Sequence, residues 1–402
     1  MNLVKLIGIV SLGGSIELYD FVIFASFSQQ IGQTYFPNNN PNLEIVSVLI
    51  LFAIGYLVRP IGGVFFSHFG DRIGRKKVFM NSIFLMGVTT LAMSLTPSFS
   101  AVGWFGTITF VTLRMIQGLA LGGEIPGAIT YIVEHSKKSP GLACGLLFLF
   151  NNLGILVANL VHSLNLSSWR TAFFLGAVFS FLSFLLRKNL TETSVFQNIK
   201  DFYKIPIISV FKSHKRKVIS GILVTSLGAT IVSLLFISMV SYLKNFGNYN
   251  TGEITYLTTI SMIAYLSCMA LMGALSDFIG RVKFLTIGVV FLAIFIVPFY
   301  ELINLHGNLL SMTVSFFVLG VISGVITGTF PSVIAGIFPT NIRYTGVAIS
   351  FNVGFAFFGG LSPLFASMFN PIYLVWLSCL LCFIGLKLIS NESRIITFGK
   401  VI

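Results

Sequence analysis

Apolar residues come in this chain as long blocks of roughly twenty, parted by short polar loops, and nothing else constrains the fold as tightly. A helix of about twenty apolar residues crosses about 30 Å of hydrocarbon. Strands of a membrane barrel would alternate apolar and polar residues instead. The blocks do not alternate, and in lipid only a helix satisfies its backbone within one segment. Twelve spans are expected, at 4–31, 44–67, 78–97, 101–128, 139–163 and 168–187, then 217–243, 253–275, 283–301, 309–336, 344–369 and 371–389. The polar stretch 188–216, with Lys200, Lys204, Lys212, Lys215, Arg216 and Pro206, reads as a linker that has room for a short surface helix. Residues 1–187 and 217–402 then form two six-helix bundles.

Charge is scarce, and its placement is informative. Only 9% of residues are charged, against about 25% in a soluble domain. The net charge of +13 does not indicate nucleic acid, because the basic residues sit in short loops between apolar blocks. Lys and Arg collect in cytoplasmic loops. The loops on the other side, such as 32–42 with Asn38, Asn39 and Asn40, are almost free of them. Both termini and the linker are therefore expected in the cytoplasm, and no cleavable signal is expected before the first span. Cys379 and Cys382 form a C-x-x-C, but they lie in an apolar block without His or acidic company. His162 and His306 also lack such company. No metal or other cofactor is expected, and the bland reading of the cysteines is small apolar helix residues.

The chain repeats itself. Ser67-His68-Phe69-Gly70-Asp71-Arg72-Ile73-Gly74-Arg75 follows the second span, and Gly273-Ala274-Leu275-Ser276-Asp277-Phe278-Ile279-Gly280-Arg281 follows the eighth. Two similar halves are the simplest source of such a repeat. An aspartate at a helix end caps backbone amides and draws arginines. Asp71, Arg72, Arg75, Asp277 and Arg281 are thus candidates for a conformational latch. The bland alternative is a positive anchor with an incidental aspartate.

Ionisable groups inside spans are costly, so they are paired or line a water-filled cavity. The candidates are Glu17, Asp20, Arg59, Arg114 and Glu124, all in the first half. Counted from the cytoplasmic helix ends, Asp20 lies about 22 Å deep and Arg114 about 21 Å. Glu17 comes to about 18 Å, Arg59 to about 12 Å and Glu124 to about 6 Å. Asp20 facing Arg114 would make a proton switch worked by the arginine's approach and withdrawal. A static ion pair is the alternative, and Glu17 is a second candidate proton carrier. Arg59, beside Pro60, is expected to offer a cation to substrate or to anchor its helix. Glu124 is shallow enough to join the latch through Arg72 or Arg75. Uncharged groups that suit a substrate cavity are Tyr19, Gln117, Asn151, Asn152 and Asn159 in the first half. In the second they are Thr225, Ser226, Tyr265, Thr327, Thr329 and Asn352, and for any of these helix–helix hydrogen bonding competes.

The paired loops resemble the signature of the major facilitator superfamily. Further segments resemble its metabolite:proton symporter family, which includes carriers of proline and betaine, oxoglutarate, citrate and shikimate. They are Glu17-Leu18-Tyr19-Asp20-Phe21, Gly55 to Gly63, Arg114 to Gly118, Gly122-Gly123-Glu124, Trp169-Arg170, Glu192-Thr193, Phe338 to Gly346, and Gly359-Gly360-Leu361-Ser362-Pro363. Leu18 stands in place of a tryptophan, Ser67 of the loop's first glycine, Ser194 of a proline and Gly336 of a glutamate. The resemblance implies an all-α major facilitator fold of twelve spans in a bacterial cytoplasmic membrane. It further implies import of a small organic acid or zwitterion with protons by alternating access, with Asp20 and Arg114 in the coupling role. A monomer, with substrate, protons and lipid as partners, is expected. The alternative is a siderophore or drug transporter of the same fold, and a membrane sensor is a more distant one. The export-associated G-P-x-x-G element is missing from Gly145 to Asn152. No nucleophile–base pair or phosphate loop suggests an enzyme.

Overall fold

The computed structural model describes residues 2–37, 41–163, 168–199, 203, 205–246, 249–305, 307–362, 365 and 368–392. Asn38, Asn39 and Asn40, Lys200 and Lys204, His306 and Pro363 lie outside the described residues. No strand occurs among the described residues.

The long helices are α1 (Leu3–Ser26), α2 (Pro41–Ile73), α3 (Arg75–Leu95), α4 (Trp104–His135), α5 (Pro140–Ser163) and α6 (Trp169–Arg187). They continue with α7 (Lys215–Thr230), α8 (Thr251–Ile279), α9 (Arg281–Asn304), α10 (Leu309–Gly336), α11 (Arg343–Gly354) and α12 (Pro371–Glu392). Ten of the described helices are long and apolar enough to cross a membrane. The spans expected at 44–67 and 344–369 fall on α2 and α11. The first carries Arg59, Asp71 and Arg72, and the second passes into a π turn at Phe355–Gly359.

Two other expected spans are interrupted. The first stops at Ser26, and a short helix, Ser28–Tyr35, resumes after buried Phe27. The seventh widens into a π turn at Ile231–Ile237 before Met239–Phe246. The two π turns touch, because the Ser233 hydroxyl donates to the Gly359 carbonyl at 2.6 Å. Such wide turns frequently mark functional positions in helices.

Both copies of the repeated loop owe their shape to a glycine. Gly74 is the single residue between α2 and α3, at φ 117°, and Gly280 plays the same part between α8 and α9, at φ 101°. Only glycine takes this backbone without strain. Each turn is then closed by the motif's own charges, Arg75 to Asp71 at 3.1 Å and Arg281 to Asp277 at 2.9 Å.

Contacts divide the chain into two compact units. One holds Met1–His135 and Phe150–Pro206, the other Ser136–Leu149 and Ile207–Ile402. The first turns of α5 therefore group with the second unit. There Asp277 accepts from the Gly141 and Leu142 amides, both at 3.0 Å, and caps α5. Most of the former linker's first part belongs to unit one. Thr193 caps the short helix Ser194–Gln197, and the Lys76 amide donates to Glu192 at 3.1 Å.

Within unit one, glycines let α2 and α4 meet backbone to backbone, as small residues do in lipid. A Cβ at Gly118 would lie 2.7 Å from the Gly55 carbonyl oxygen, and one at Gly122 2.5 Å from the Gly63 nitrogen. Gly122→Leu is expected to lower stability by at least about 2 kcal/mol, because the opposing atoms are backbone and cannot rotate away. A thermal melt of the purified variant checks this, and an unchanged midpoint would refute it.

Candidate functional site: a ladder of buried charges

Four buried charge clusters climb the first unit. The one farthest from the N-terminal end of α1 is built on Asp20, 2% exposed. Its Oδ2 accepts from the Gln117 amide at 2.8 Å and from the Thr90 hydroxyl at 3.3 Å. Gln117 in turn accepts from Arg114 Nη1 at 2.6 Å. Asp20 and Arg114 share a level, as their depths require, but they do not form a direct ion pair. Gln117, three residues along α4 from Arg114 and so on the same face, stands between them. Arg114 lies over the Phe24 ring at 4.3 Å and beside Phe21 at 5.6 Å. Its Nε and Nη2 have no hydrogen-bond acceptor among the described residues.

One turn toward the N-terminus of α1, Glu17 is paired with Arg59. The Arg59 guanidinium also rests over Tyr56 at 5.0 Å and Phe21 at 5.2 Å. The Phe21 ring thus lies against both guanidinium groups. Arg59 was expected to meet substrate or anchor its helix; here its charge is taken by Glu17, because the long guanidinium side chain spans the difference in depth.

The third cluster corrects an expectation. Glu124 does not bind Arg72 or Arg75. It accepts from Arg187 at 2.6 Å and from the Ser82 hydroxyl at 2.7 Å. Arg187 also donates to the Val10 carbonyl at 2.8 Å and lies over the Phe79 ring at 3.8 Å. Arg187 ends α6 and reads in sequence as an ordinary anchoring arginine. Its complete burial comes from α1, α3 and α4 closing around it.

The fourth cluster belongs to the loop. Arg75 bonds Asp71, the Gly70 carbonyl at 3.0 Å and Glu134 at 3.4 Å, with the Phe196 ring 4.4 Å from its guanidinium. Glu134 also accepts from Thr193 at 2.6 Å. Sequence reasoning missed Glu134 and gave Thr193 only as part of the resembling pair Glu192-Thr193, with no role. Arg72 is exposed and joins none of the described ion pairs.

The neutral candidates separate cleanly. Tyr19 donates to the Ala172 carbonyl at 2.8 Å and packs in the aromatic core of unit one, so its hydroxyl braces α6. Asn151 packs against Gly14, where a Cβ would lie 2.5 Å from its side-chain carbonyl carbon, and Asn152 is buried beside it in the chain. Asn352 donates to the Ala348 carbonyl at 2.9 Å. Thr225 and Ser226 bond carbonyls of their own helix. Tyr265, Thr327 and Thr329 are buried hydroxyls with no hydrogen-bond partner among the described residues, as are Ser261 and Ser323. A buried hydroxyl left unmet costs about 1–3 kcal/mol. Among the described residues no group of His, Cys, Asp and Glu could hold a metal ion.

The profile of the Major Facilitator Superfamily matches residues 21–250 and 218–394, so the chain belongs to that superfamily. A proline/betaine transporter of Salmonella typhimurium is 29% identical over 393 residues, covering 90% of this chain and 77% of its own. A glycine betaine/proline/ectoine/pipecolic acid transporter of Dickeya dadantii is 30% identical with the same coverage. Among solved structures, the proton:xylose symporter XylE superposes with a TM-score of 0.78 at 14% identity, over 97% of this chain and 95% of its own. The human organic anion transporter MFSD10 gives 0.72 at 13%, over 97% and 100%. These two share the fold. The chain is a multi-pass membrane transporter of major facilitator type and not an enzyme.

Proposed function

We propose that this transporter is a symporter that imports a small zwitterion of the proline or betaine class together with protons, by alternating access. The observation that carries the reading is the chain Asp20–Gln117–Arg114, buried deep along α1 and α4 with two guanidinium donors unmet. A guanidinium holds a carboxylate through two parallel bonds, and Nε with Nη2 is such a pair. A zwitterion that docks its carboxylate there shares the Arg114 charge otherwise directed through Gln117 toward Asp20. The proton held at Asp20 then follows whether substrate occupies Arg114, which couples the two cargoes. The Glu17–Arg59 pair is one helical turn away and supplies a second carboxylate to the same face of α1.

The names of the relatives supply the substrate class, and the basic cytoplasmic loops favour both termini inside a bacterial cytoplasmic membrane. The chain is read as a monomer of two six-helix bundles, 1–187 and 217–402, joined by 188–216. Asp71, Arg75, Asp277 and Arg281 hold the loop turns and act as the conformational latch.

Uptake of labelled proline and glycine betaine into proteoliposomes tests the reading. Accumulation is expected only with an inside-alkaline pH gradient, and equal uptake without one would refute symport. Arg114→Ala is expected to raise KM at least about tenfold, the weight of one charge-assisted bond. An unchanged KM would confine Arg114 to structure.

A further inference from the structure

α7 opens on charge. Lys215, Arg216 and Lys217 fill its first turn, which holds no acidic residue and has no side chain capping its amides. The positive pole of the helix dipole lies at this end, so cations crowd where anions are favoured. Lys212 adds a fourth cation, in the last turn of the short helix Pro206–Ser213. His214 alone joins the two helices, at φ −131° and ψ 22°. A cavity of about 360 Å³ lies at this break, lined by Lys212, Ser213, His214, Lys215, Arg216 and Lys217. Four of its six residues are therefore cationic, and none of the four joins a described ion pair. The chain holds no Asp or Glu between Asp201 and Glu253, so neighbouring sequence supplies no countercharge.

Apolar side chains stand beside this charge. Val210 is buried, whereas Ile208 and Phe211, three apart on one face of the short helix, are exposed. Ile219, one turn into α7, is exposed as well. The candidate membrane span of α7 begins at Lys215. A short helix with apolar side chains outward and cations next to them, at the mouth of a span, has the build of a segment that lies in the membrane interface.

We propose that Lys212, Lys215, Arg216 and Lys217 form a binding site for the headgroup phosphate of an anionic phospholipid, with Ile208 and Phe211 against its acyl chains. Charge selects the ligand. A phosphatidylglycerol headgroup is a net anion, whereas phosphatidylcholine carries the same phosphate and balances it with its own choline. The Arg216 fork suits two phosphate oxygens at once, and the lysines act as point charges. Cations next to an anionic leaflet each add to the attraction. The bilayer is favoured over phosphate from solution because an inorganic ion makes no use of Ile208 and Phe211. The site needs neither substrate nor protons.

Native mass spectrometry of the purified full chain, titrated with dioleoylphosphatidylglycerol or dioleoylphosphatidylcholine, reads the first lipid bound. Wild type is expected to prefer phosphatidylglycerol at least about tenfold. In a quadruple variant with Lys212→Gln, Lys215→Gln, Arg216→Gln and Lys217→Gln, the preference is expected to fall to about twofold or less. A control variant with Lys77→Gln, Lys137→Gln, Lys138→Gln and Lys283→Gln, four exposed lysines elsewhere, is expected to keep the wild-type preference. Lys215→Gln with Arg216→Gln is expected to lose part of it and carries the test if the quadruple variant fails to fold. Equal loss in the control variant would show general surface charge and overturn the site, as would a wild type without preference. A millimolar excess of inorganic phosphate is expected to leave the lipid bound. Displacement would assign the cavity to a free phosphate and overturn the lipid.

Discussion

Asp20→Asn is expected to abolish accumulation of substrate against its gradient while leaving the protein folded. Asparagine matches aspartate in size, and the site is 2% exposed, so no cavity opens. Its side-chain oxygen still accepts from Gln117 or Thr90, the partners that hold Asp20 at 2.8 and 3.3 Å. What is lost is the only chemistry an amide lacks, the binding and release of a proton. Internal substrate should rise to the external level and stop, while exchange of labelled for unlabelled substrate, which needs no net proton movement, should persist. Gradient-driven uptake and counterflow in the same proteoliposomes check both halves. Accumulation at the wild-type level would remove Asp20 from the coupling role and pass it to Glu17.

Arg187→Met is expected to be the most destabilising single change, by about 3–5 kcal/mol, because it strands a buried charge. Glu124 would keep only the Ser82 bond at 2.7 Å, and the Val10 carbonyl would lose its donor. The double change Arg187→Met with Glu124→Gln should recover most of the loss, since an apolar or neutral pair of similar volume avoids the desolvation of both ions. Thermal melts of the three variants in one detergent measure this. A single variant as stable as wild type would show that the pair contributes nothing, and no recovery in the double variant would locate the loss in packing around Phe79.

Helix depth, counted along each span, put Asp20 and Arg114 on one level, and they are neighbours. Depth says nothing of rotation, and rotation about the α4 axis inserts Gln117 between them. Depth also suggested that Glu124 was shallow enough for the loop, but the loop's Arg75 is occupied by Asp71 and Glu134. Glu124 takes Arg187 instead, 63 residues away in the chain. Arg187 was passed over because a basic residue at a helix end is the commonest thing a membrane protein shows. In the second half, Tyr265 and Thr327 were grouped with Thr225 and Ser226. Only the structure separates hydroxyls that bond their own helix from hydroxyls left unmet.

The repeated loop marks the division between the two kinds of knowledge. Sequence alone determined that the chain crosses the bilayer as helices, that it has two similar halves, and that each half carries one copy of the same charged loop. Each of these is a property of one segment, set by its own transfer into lipid or by its own backbone. Tertiary structure decided which charge meets which, which end of α5 Asp277 caps, and which hydroxyls lack a partner. Those depend on the rotation and close approach of helices distant in sequence, fixed by glycine contacts such as Gly118 on Gly55 and Gly324 on Tyr265, and hydropathy carries no record of them.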